Sequence, residues 1–319
     1  MLFQLLKFQY NGQSLFYIIL ITFLITIVAI QATKNILPHD GGRAFAVNGE
    51  LSKGKPRGVG IVFIICYVVM SLLYVPLNRE YLIYSILLVA SMLSGFLDDR
   101  SEVPWGELKK GLIDFVIALM AALTFVNFNA DHIGLQFQDK FVSIPIVAFV
   151  ILAGILFWTS INVTNCSDGV DGLCGSLGVV TLLTFYYIFT KQHSDYGVYA
   201  LLMVACLLGY LWFNMSPSKV LMGDAGSRAL GFFIGLLALK TYNLALYLLA
   251  AFVFILDGGL GLIKVSLIRA CKIHIMKNIR TPLHDHARKN LHWSDTQVVF
   301  RFVMIQLIAS SIIFFCYLA

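Results

Sequence analysis

The chain has 319 residues, of which 59% are apolar and only 13% are charged, and its formal net charge is +6. A soluble globular domain averages about 45–50% apolar and about 25% charged residues. The composition therefore excludes a disordered chain, a coiled coil and an ordinary soluble enzyme, and it predicts an integral membrane protein.

Apolar segments bounded by polar residues, glycine or proline predict ten membrane-spanning helices in one all-α polytopic domain over residues 1–319. The first apolar run, from about Ser14 to Gln31, is too long for a signal-peptide core, and we expect it to be retained. Only two residues separate the eighth and ninth segments, so nine spans are the alternative. The predicted spans are 14–32, 59–76, 81–97, 111–128, 143–163, 173–190, 197–214, 228–241, 243–268 and 298–317.

The charge distribution predicts the orientation, because cytoplasmic connections of membrane proteins carry an excess of Lys and Arg. Seventeen of the 23 Lys and Arg residues lie on the odd-numbered connections or the adjoining helix ends. We therefore expect these connections in the cytoplasm and both termini outside. A site for a water-soluble anionic substrate would explain why acidic residues gather on the same connections: Asp98, Asp99, Glu102, Glu107, Asp168, Asp171, Asp224, Asp285 and Asp295.

Two adjacent carboxylates, Asp98 and Asp99, end the third predicted span. Adjacent acids need a cation, a shared proton or hydration, and Mg²⁺ is typically held by one or two carboxylates plus substrate phosphates. A magnesium site is the functional interpretation, and a solvated pair that ends a helix is the simpler alternative.

Between spans five and six, steps of three residues would align four polar side chains along one helical ridge: Asn162, Asn165, Asp168 and Asp171. Such a ridge can bind a ligand by hydrogen bonds, and the alternative is a polar turn. Before span eight, Asp224 stands between two glycines, which suits a metal-bound phosphate at a helix start, although a helix cap explains part of this pattern.

The longest predicted cytoplasmic connection contains the segment Thr281-Pro282-Leu283-His284-Asp285-His286-Ala287-Arg288-Lys289. Its spacing does not support a zinc site, whereas imidazoles with Arg288 fit phosphate recognition or proton transfer. A basic loop beneath anionic lipid is the alternative. Asp257 within span nine is a functional candidate by default, and the glycines after it allow either a lipid groove or close helix packing.

Taken in order, these motifs resemble the phospho-N-acetylmuramoyl-pentapeptide transferases, within the polyprenyl-phosphate N-acetylhexosamine-1-phosphate transferase superfamily. The resemblance extends over nearly the whole chain. The segments that carry it are Asp98-Asp99, Asn162 to Gly172, Met222 to Ser227, Thr281 to His284 and Trp293 to Gln297.

The resemblance implies ten spans, a cytoplasmic active site in the bacterial plasma membrane, Mg²⁺ and often a homodimer, with no nucleic-acid partner. The implied reaction moves phospho-MurNAc-pentapeptide from its UDP carrier to undecaprenyl phosphate and gives lipid I and UMP. The sibling N-acetylglucosamine-1-phosphate transferases and, from another class, a membrane transporter are the alternatives. Transporters bind near the bilayer midplane, whereas these acids are predicted at one rim.

The resemblance also implies roles for individual residues. Asp98 corresponds to the family's base or phosphate-activating carboxylate, and Asp224 to its magnesium ligand, with Asp98 and Asp99 as further ligands. Lys109 corresponds to a basic catalytic residue, and His284 and His286 to two of three successive histidines. The residues implied to bind substrate are Asn162, Asn165, Asp168, Asp171, Asn214 and Arg288.

Two positions and one loop depart from the family pattern. Asp285 replaces the middle histidine, so His284 and His286 are the imidazoles to test. The first loop, from Lys53 to Gly60, differs from the family's usual sequence, and Leu221 stands where an aromatic residue often stacks on uracil.

Overall fold

Helices satisfy their own backbone hydrogen bonds, which is what an apolar segment in a membrane requires. The computed structural model describes residues 12–42, 49–101, 103, 105–137 and 140–317, and each predicted span coincides there with helical structure. The helices are α1 (Gly12–Thr33), α2 (Gly60–Tyr74), α3 (Arg79–Arg100), α4 (Glu107–Phe128), α5 (Ile146–Cys166), α6 (Leu173–Lys191), α7 (Tyr196–Asn214), α8 (Gly223–Lys240), α9 (Ala245–Ala250), α10 (Leu260–Cys271), α11 (Leu283–Lys289) and α12 (Asp295–Ile312).

Smaller elements connect these helices. A short helical turn, Phe252–Phe254, and a π-helical turn, Ile255–Gly259, lead from α9 into α10, and a second π-helical turn, Ile313–Tyr317, follows α12. One antiparallel hairpin, β1 (Gly134–Phe137) and β2 (Lys140–Ser143), joins α4 to α5 with Gly134 opposite Ser143. Three 3₁₀ turns complete the described structure: Lys34–Ile36, Gly49–Ser52 and Ala130–His132.

Fewer than ten of the described helices are both long enough and apolar enough to cross a membrane. Seven of the described helices are long and apolar enough to cross a membrane, namely α1, α3, α4, α5, α6, α7 and α12. Helix α2 has 15 residues, α8 carries three charged side chains, and the ninth segment is interrupted. The all-α membrane architecture is confirmed, and the total of ten spans stays a prediction.

Helix α8 lies at the centre of the bundle. All of its residues except Asp224 are buried, and it packs against α2, α3 and α5. Small residues allow the backbones of these helices to approach closely, as in many pairs of membrane helices. A Cβ on Gly231 would lie 2.6 Å from the Cα of Ile161, and the Ser160 hydroxyl donates to the Gly231 carbonyl at 2.7 Å.

The two ends of the bundle carry different connections. At one end, Lys240 lies 3.1 Å from the Glu80 carboxylate and donates to Asn129 at 2.8 Å. These three residues adjoin even-numbered connections, whereas residues of odd-numbered connections meet at the opposite end, as described below. The odd-numbered and even-numbered connections therefore lie at opposite ends of the bundle, as predicted. The compartment that each end faces stays a prediction.

Candidate active site

Two glycines allow the acidic motifs to meet at the start of α8. A Cβ on Gly95 would lie 2.3 Å from the Asp224 carbonyl oxygen, and one on Gly60 would lie 2.0 Å from the Gly226 nitrogen. Helix α3 can therefore approach the first turn of α8 closely enough to bring Asp98 and Asp99 beside Asp224. We call these three aspartates the acidic cluster.

The Asp99 carboxylate is bound by backbone N–H groups of α8 and by Arg57. The carboxylate accepts the backbone N–H groups of Asp224 at 3.1 Å and Ala225 at 3.0 Å, where the positive end of the helix dipole stabilises an anion. The Arg57 guanidinium lies 2.9 Å away. Both Asp99 oxygens are engaged, so this residue fits a structural cap better than the magnesium ligand that the family resemblance implies.

Asp98 and Asp224 share one ammonium group. Lys110 Nζ contacts Asp98 Oδ2 and lies 3.1 Å from Asp224 Oδ2, while Asp98 Oδ1 accepts the Trp105 backbone N–H at 2.7 Å. Lys109, the predicted catalytic cation, lies instead 3.4 Å from the centre of the Trp105 ring. Adjacent helix positions point about 100° apart, so Lys110 is the lysine that contacts the acidic cluster, and the catalytic role of Lys109 stays a prediction.

Arg57 brings the first loop into the cluster. Burial disfavours its charged form, but Asp99, Asp224 and Asp40 more than offset that effect and raise the pKa of the guanidinium. Asp168 also contributes to this shift, which places the loop after α5 in the same electrostatic environment. Backbone pairing fixes Arg57 here, because the Leu221 N–H donates to the Pro56 carbonyl at 2.8 Å.

The polar segment at the end of α5 does not form the predicted four-residue ridge. The helix ends at Cys166, so Asp168 and Asp171 lie in the following turn. Asn162 donates to the Trp158 carbonyl of its own helix at 2.8 Å. Asn165, in contrast, donates to Ser227 of α8 at 2.9 Å, which ties this segment to the acidic cluster.

Asp171 and Asn214 connect loops. Asp171 accepts the Ser218 N–H at 2.9 Å and lies 3.6 Å from Lys55. The buried Asn214 amide accepts from Gly172 at 2.9 Å and donates to Val220 at 2.8 Å. Each polar atom of Asn214 has a backbone partner, so the side chain joins two loops, and its role as a substrate ligand stays a prediction.

A buried carboxylate orients the first histidine. Asp257, in the π-helical turn, accepts the His284 backbone N–H at 2.8 Å and lies 2.8 Å from His284 Nδ1. The opposite ring atom, Nε2, faces Gly169, where a Cβ would lie only 2.3 Å away. A proton on Nδ1 therefore points at Asp257 and leaves Nε2 directed at the loop after α5.

The other charged residues of α11 are mostly paired. Arg288 donates to Asp285 at 2.7 Å and to the Gly169 carbonyl at 3.0 Å, and it lies 3.4 Å from Asp295. Arg288 thus links α11 to the loop after α5, and its predicted role in substrate binding stays a prediction. His286 Nδ1 accepts the Arg280 N–H at 3.3 Å.

The acidic cluster could supply only some of the ligands that a magnesium ion needs. Within the described ranges, no three His, Cys, Asp or Glu side chains form a metal-binding group. Asp98 and Asp224 approach the same ammonium from two helices, and such a pair fits the usual arrangement of one or two carboxylates completed by substrate phosphate oxygens. The residues present therefore fit a magnesium ion that binds together with a diphosphate.

Sequence reasoning missed Lys110, Arg57 and the role of Asp257. The sequence shows Lys109 and Lys110 side by side, but which of them faces the carboxylates depends on the rotation of the helix about its axis. Arg57 lies in the loop that departs from the family pattern, and the signal for Asp257 was a carboxylate alone in an apolar run.

The chain resembles known proteins over most of its length. Residues 81–242, just over half of the chain, match the family model described as glycosyl transferase family 4. A phospho-N-acetylmuramoyl-pentapeptide-transferase of Treponema pallidum (strain Nichols) is 39% identical over 89% of this chain and 84% of that protein. Proteins of the same name from a Nitratiruptor species and from Campylobacter jejuni are 27% and 29% identical, over 81% and 80% of this chain and 79% of each relative. The chain therefore belongs to glycosyl transferase family 4 and, within it, to the phospho-N-acetylmuramoyl-pentapeptide transferases.

Proposed function

We propose that this protein transfers phospho-MurNAc-pentapeptide from UDP-MurNAc-pentapeptide to undecaprenyl phosphate, which gives lipid I and UMP for peptidoglycan synthesis. Family membership supports this reaction. The observation that carries it is the convergence of Asp98 and Asp224 on Lys110 at the N-terminus of α8, because a helix start and paired charges of both signs suit a diphosphate.

The reaction exchanges one phosphoanhydride bond for another. An oxygen of the lipid phosphate attacks the sugar-linked phosphorus, the bond to the uridine-linked phosphate breaks, and UMP leaves with the bonding electrons. The protein has to position two anions and stabilise charge in an in-line displacement. A phosphomonoester is already largely ionised near pH 7, with a second pKa of about 6, so a strong base is unnecessary.

Asp98 therefore acts mainly in positioning. One of its oxygens accepts the Trp105 N–H and the other contacts Lys110, an arrangement that stabilises the carboxylate. Lys110 can move from the carboxylates to the phosphate oxygens as substrate binds. His284, oriented by Asp257, directs Nε2 toward the loop after α5. With the proton on Nδ1, Nε2 can accept a hydrogen bond, and in the doubly protonated ring it can donate one to a phosphate oxygen.

A magnesium ion, held by Asp98 and Asp224 with substrate oxygens, would supply further charge stabilisation at the diphosphate. The first-loop cations support the same site, since Arg57 remains protonated among its acidic neighbours. Mg²⁺ dependence is thus part of the proposal.

We place the protein in the bacterial plasma membrane as a multi-pass protein with both termini outside and the active site in the cytoplasm. The Lys and Arg distribution supports this orientation. A homodimer is proposed from the family resemblance alone, and the molar mass of the purified protein in detergent tests it.

A transfer assay with radiolabelled UDP sugars and undecaprenyl phosphate tests the reaction. We expect labelled lipid and UMP from UDP-MurNAc-pentapeptide. UMP release from UDP-N-acetylglucosamine alone would assign the chain to the sibling activity. Substrate flux in proteoliposomes that persists with Asp98→Asn would instead indicate a transporter.

A further inference from the structure

Three cations of the candidate site form ion pairs with carboxylates. Arg57 pairs with Asp99, and Lys110 pairs with Asp98 and Asp224. Arg288 pairs with Asp285. Three other cations follow the π-helical turn and lie near α11, and among the described residues none of them forms an ion pair with a carboxylate: Lys264, Lys277 and Arg280.

These three uncompensated cations surround one cavity. It has a volume of about 380 Å³, within the range of about 300–1,000 Å³ that is usual for small-ligand sites. Its lining combines positive charges with neutral hydrogen-bonding groups and, within the described part of the chain, includes no acidic side chain. The polar lining residues are Lys264, Lys277, Asn278, Arg280, Thr281 and Asn290.

The protein fixes one of the three charges in place. Lys264 Nζ donates to the carbonyls of Met276 at 3.1 Å and Ile279 at 2.8 Å. An ammonium group has three donors, so one remains for a ligand while the two carbonyls hold the side chain at the cavity wall. Such preorganisation distinguishes Lys264 from a freely solvated surface lysine.

The cavity adjoins the histidine helix directly. Arg280 lines it, and the backbone N–H of the same residue donates to His286 Nδ1 at 3.3 Å. Thr281, another lining residue, is followed by Pro282 and the start of α11. A substrate with its diphosphate beside the acidic cluster and His284 could therefore extend a second, anionic part into this cavity.

We propose that this basic cavity binds the free carboxylate of the peptide on the donor substrate. The inference rests on the proposed function, which supplies the donor substrate. The peptide of that donor is joined to the muramoyl group through its amino end and therefore keeps a free carboxyl end. Five extended residues span up to about 17 Å, which allows that end to lie away from the diphosphate. The cavity then favours a peptide-bearing sugar over a bare one.

The test compares two donors with the purified full-length protein, UDP-MurNAc-pentapeptide and the same compound with a C-terminal carboxamide. Because charge-assisted hydrogen bonds to the carboxylate are lost, we expect the carboxamide to raise KM about tenfold in the wild type, with kcat nearly unchanged. Lys277→Gln and Arg280→Gln should each raise KM several-fold for the carboxylate donor and leave KM for the carboxamide unchanged. Lys272→Gln, an exposed lysine outside the lining, is the matched control and should behave as the wild type.

Three outcomes overturn the proposal. Equal KM values for both donors in the wild type would show that the carboxylate is not recognised, without requiring any variant to fold. Equal losses for both donors in Lys277→Gln and Arg280→Gln would assign the cations another role. A loss that appears only in nanodiscs containing phosphatidylglycerol would assign the cavity to a lipid headgroup. Failure of the proposed function is distinct, since the wild type would then transfer neither donor.

Discussion

Asp257 and His284 form a buried dyad in which one carboxylate engages both the backbone and the ring of the histidine, each at 2.8 Å. The π-helical turn Ile255–Gly259 presents Asp257 to α11, and Gly169 leaves room for the opposite edge of the ring. The irregular ninth segment therefore has a specific consequence, the orientation of an imidazole toward the candidate site.

Replacement of Asp257 should affect turnover more than substrate affinity. We expect Asp257→Asn to lower kcat about 10- to 100-fold, as changes to groups that orient a functional histidine commonly do, and to alter the pH profile of kcat. Asp257→Glu should recover part of the activity. Asp195→Asn, an exposed aspartate at the other end of the bundle, is the control. An unchanged kcat and pH profile in folded Asp257→Asn would contradict the positioning role.

The two adjacent lysines provide a matched pair. Lys110→Met should lower kcat about 100-fold or more, because it removes the ammonium shared by Asp98 and Asp224. Lys109→Met removes only a contact with the Trp105 ring and should keep most of the activity. Steady-state rates of both variants decide between them, and a larger loss in Lys109→Met than in Lys110→Met would identify Lys109 as the catalytic cation.

Much of the architecture was accessible from the sequence because it depends on long-range averages. Apolar runs of membrane length predict helices regardless of their exact boundaries, and the Lys and Arg count separates the connections into two ends. The motif around Asp98 and the one around Asp224 meet at Lys110, and the histidine segment contacts the loop after α5. A single substrate site formed by all three stays a prediction.

The atomic roles were less accessible because they depend on helix phase and on helix ends. Asn162 faces its own backbone and Asn214 bridges two loops, although both carry the polar side chain that a substrate site needs. The end of α5 at Cys166 turns Asp168 and Asp171 out of a common ridge. The hairpin of β1 and β2 was not predicted, since short strands leave little periodic signal.

Gly95 tests the helix approach that forms the cluster. Gly95→Ala should place a Cβ against the Asp224 backbone, destabilise the protein by about 1–3 kcal/mol through overpacking and reduce activity. Gly154→Ala, on α5 where a Cβ would meet nothing within 4 Å, is the control and should keep full activity, with an unfolding midpoint equal to or above that of the wild type. Thermal unfolding in detergent measures the difference, and a wild-type midpoint for Gly95→Ala would argue against the close packing.

A buried ion pair lies one helical turn along α4 and α8 from the Lys110–Asp224 contact. Arg228 lies 2.5 Å from Asp114, and both residues are buried. Asp114→Asn should cost about 3–5 kcal/mol because it leaves an uncompensated charge, and Asp114→Leu combined with Arg228→Met should recover most of that loss.

An exposed pair provides the comparison for this prediction. Arg269 and Glu107 form an ion pair on the surface, and removing it with Glu107→Gln should leave the unfolding midpoint unchanged. If Asp114→Asn unfolded at the same temperature as the wild type, the buried pair would have no role in the registry of α4 and α8.

Single-turnover transfer from radiolabelled UDP-MurNAc-pentapeptide to undecaprenyl phosphate tests most directly whether Asp98 and Asp224 together hold the magnesium-bound diphosphate. The wild type should form labelled lipid I in proportion to bound Mg²⁺. Asp98→Asn and Asp224→Asn should each lower the rate about 100-fold or more at saturating donor, with normal unfolding midpoints. A near wild-type rate with unchanged Mg²⁺ dependence in Asp224→Asn would contradict the account.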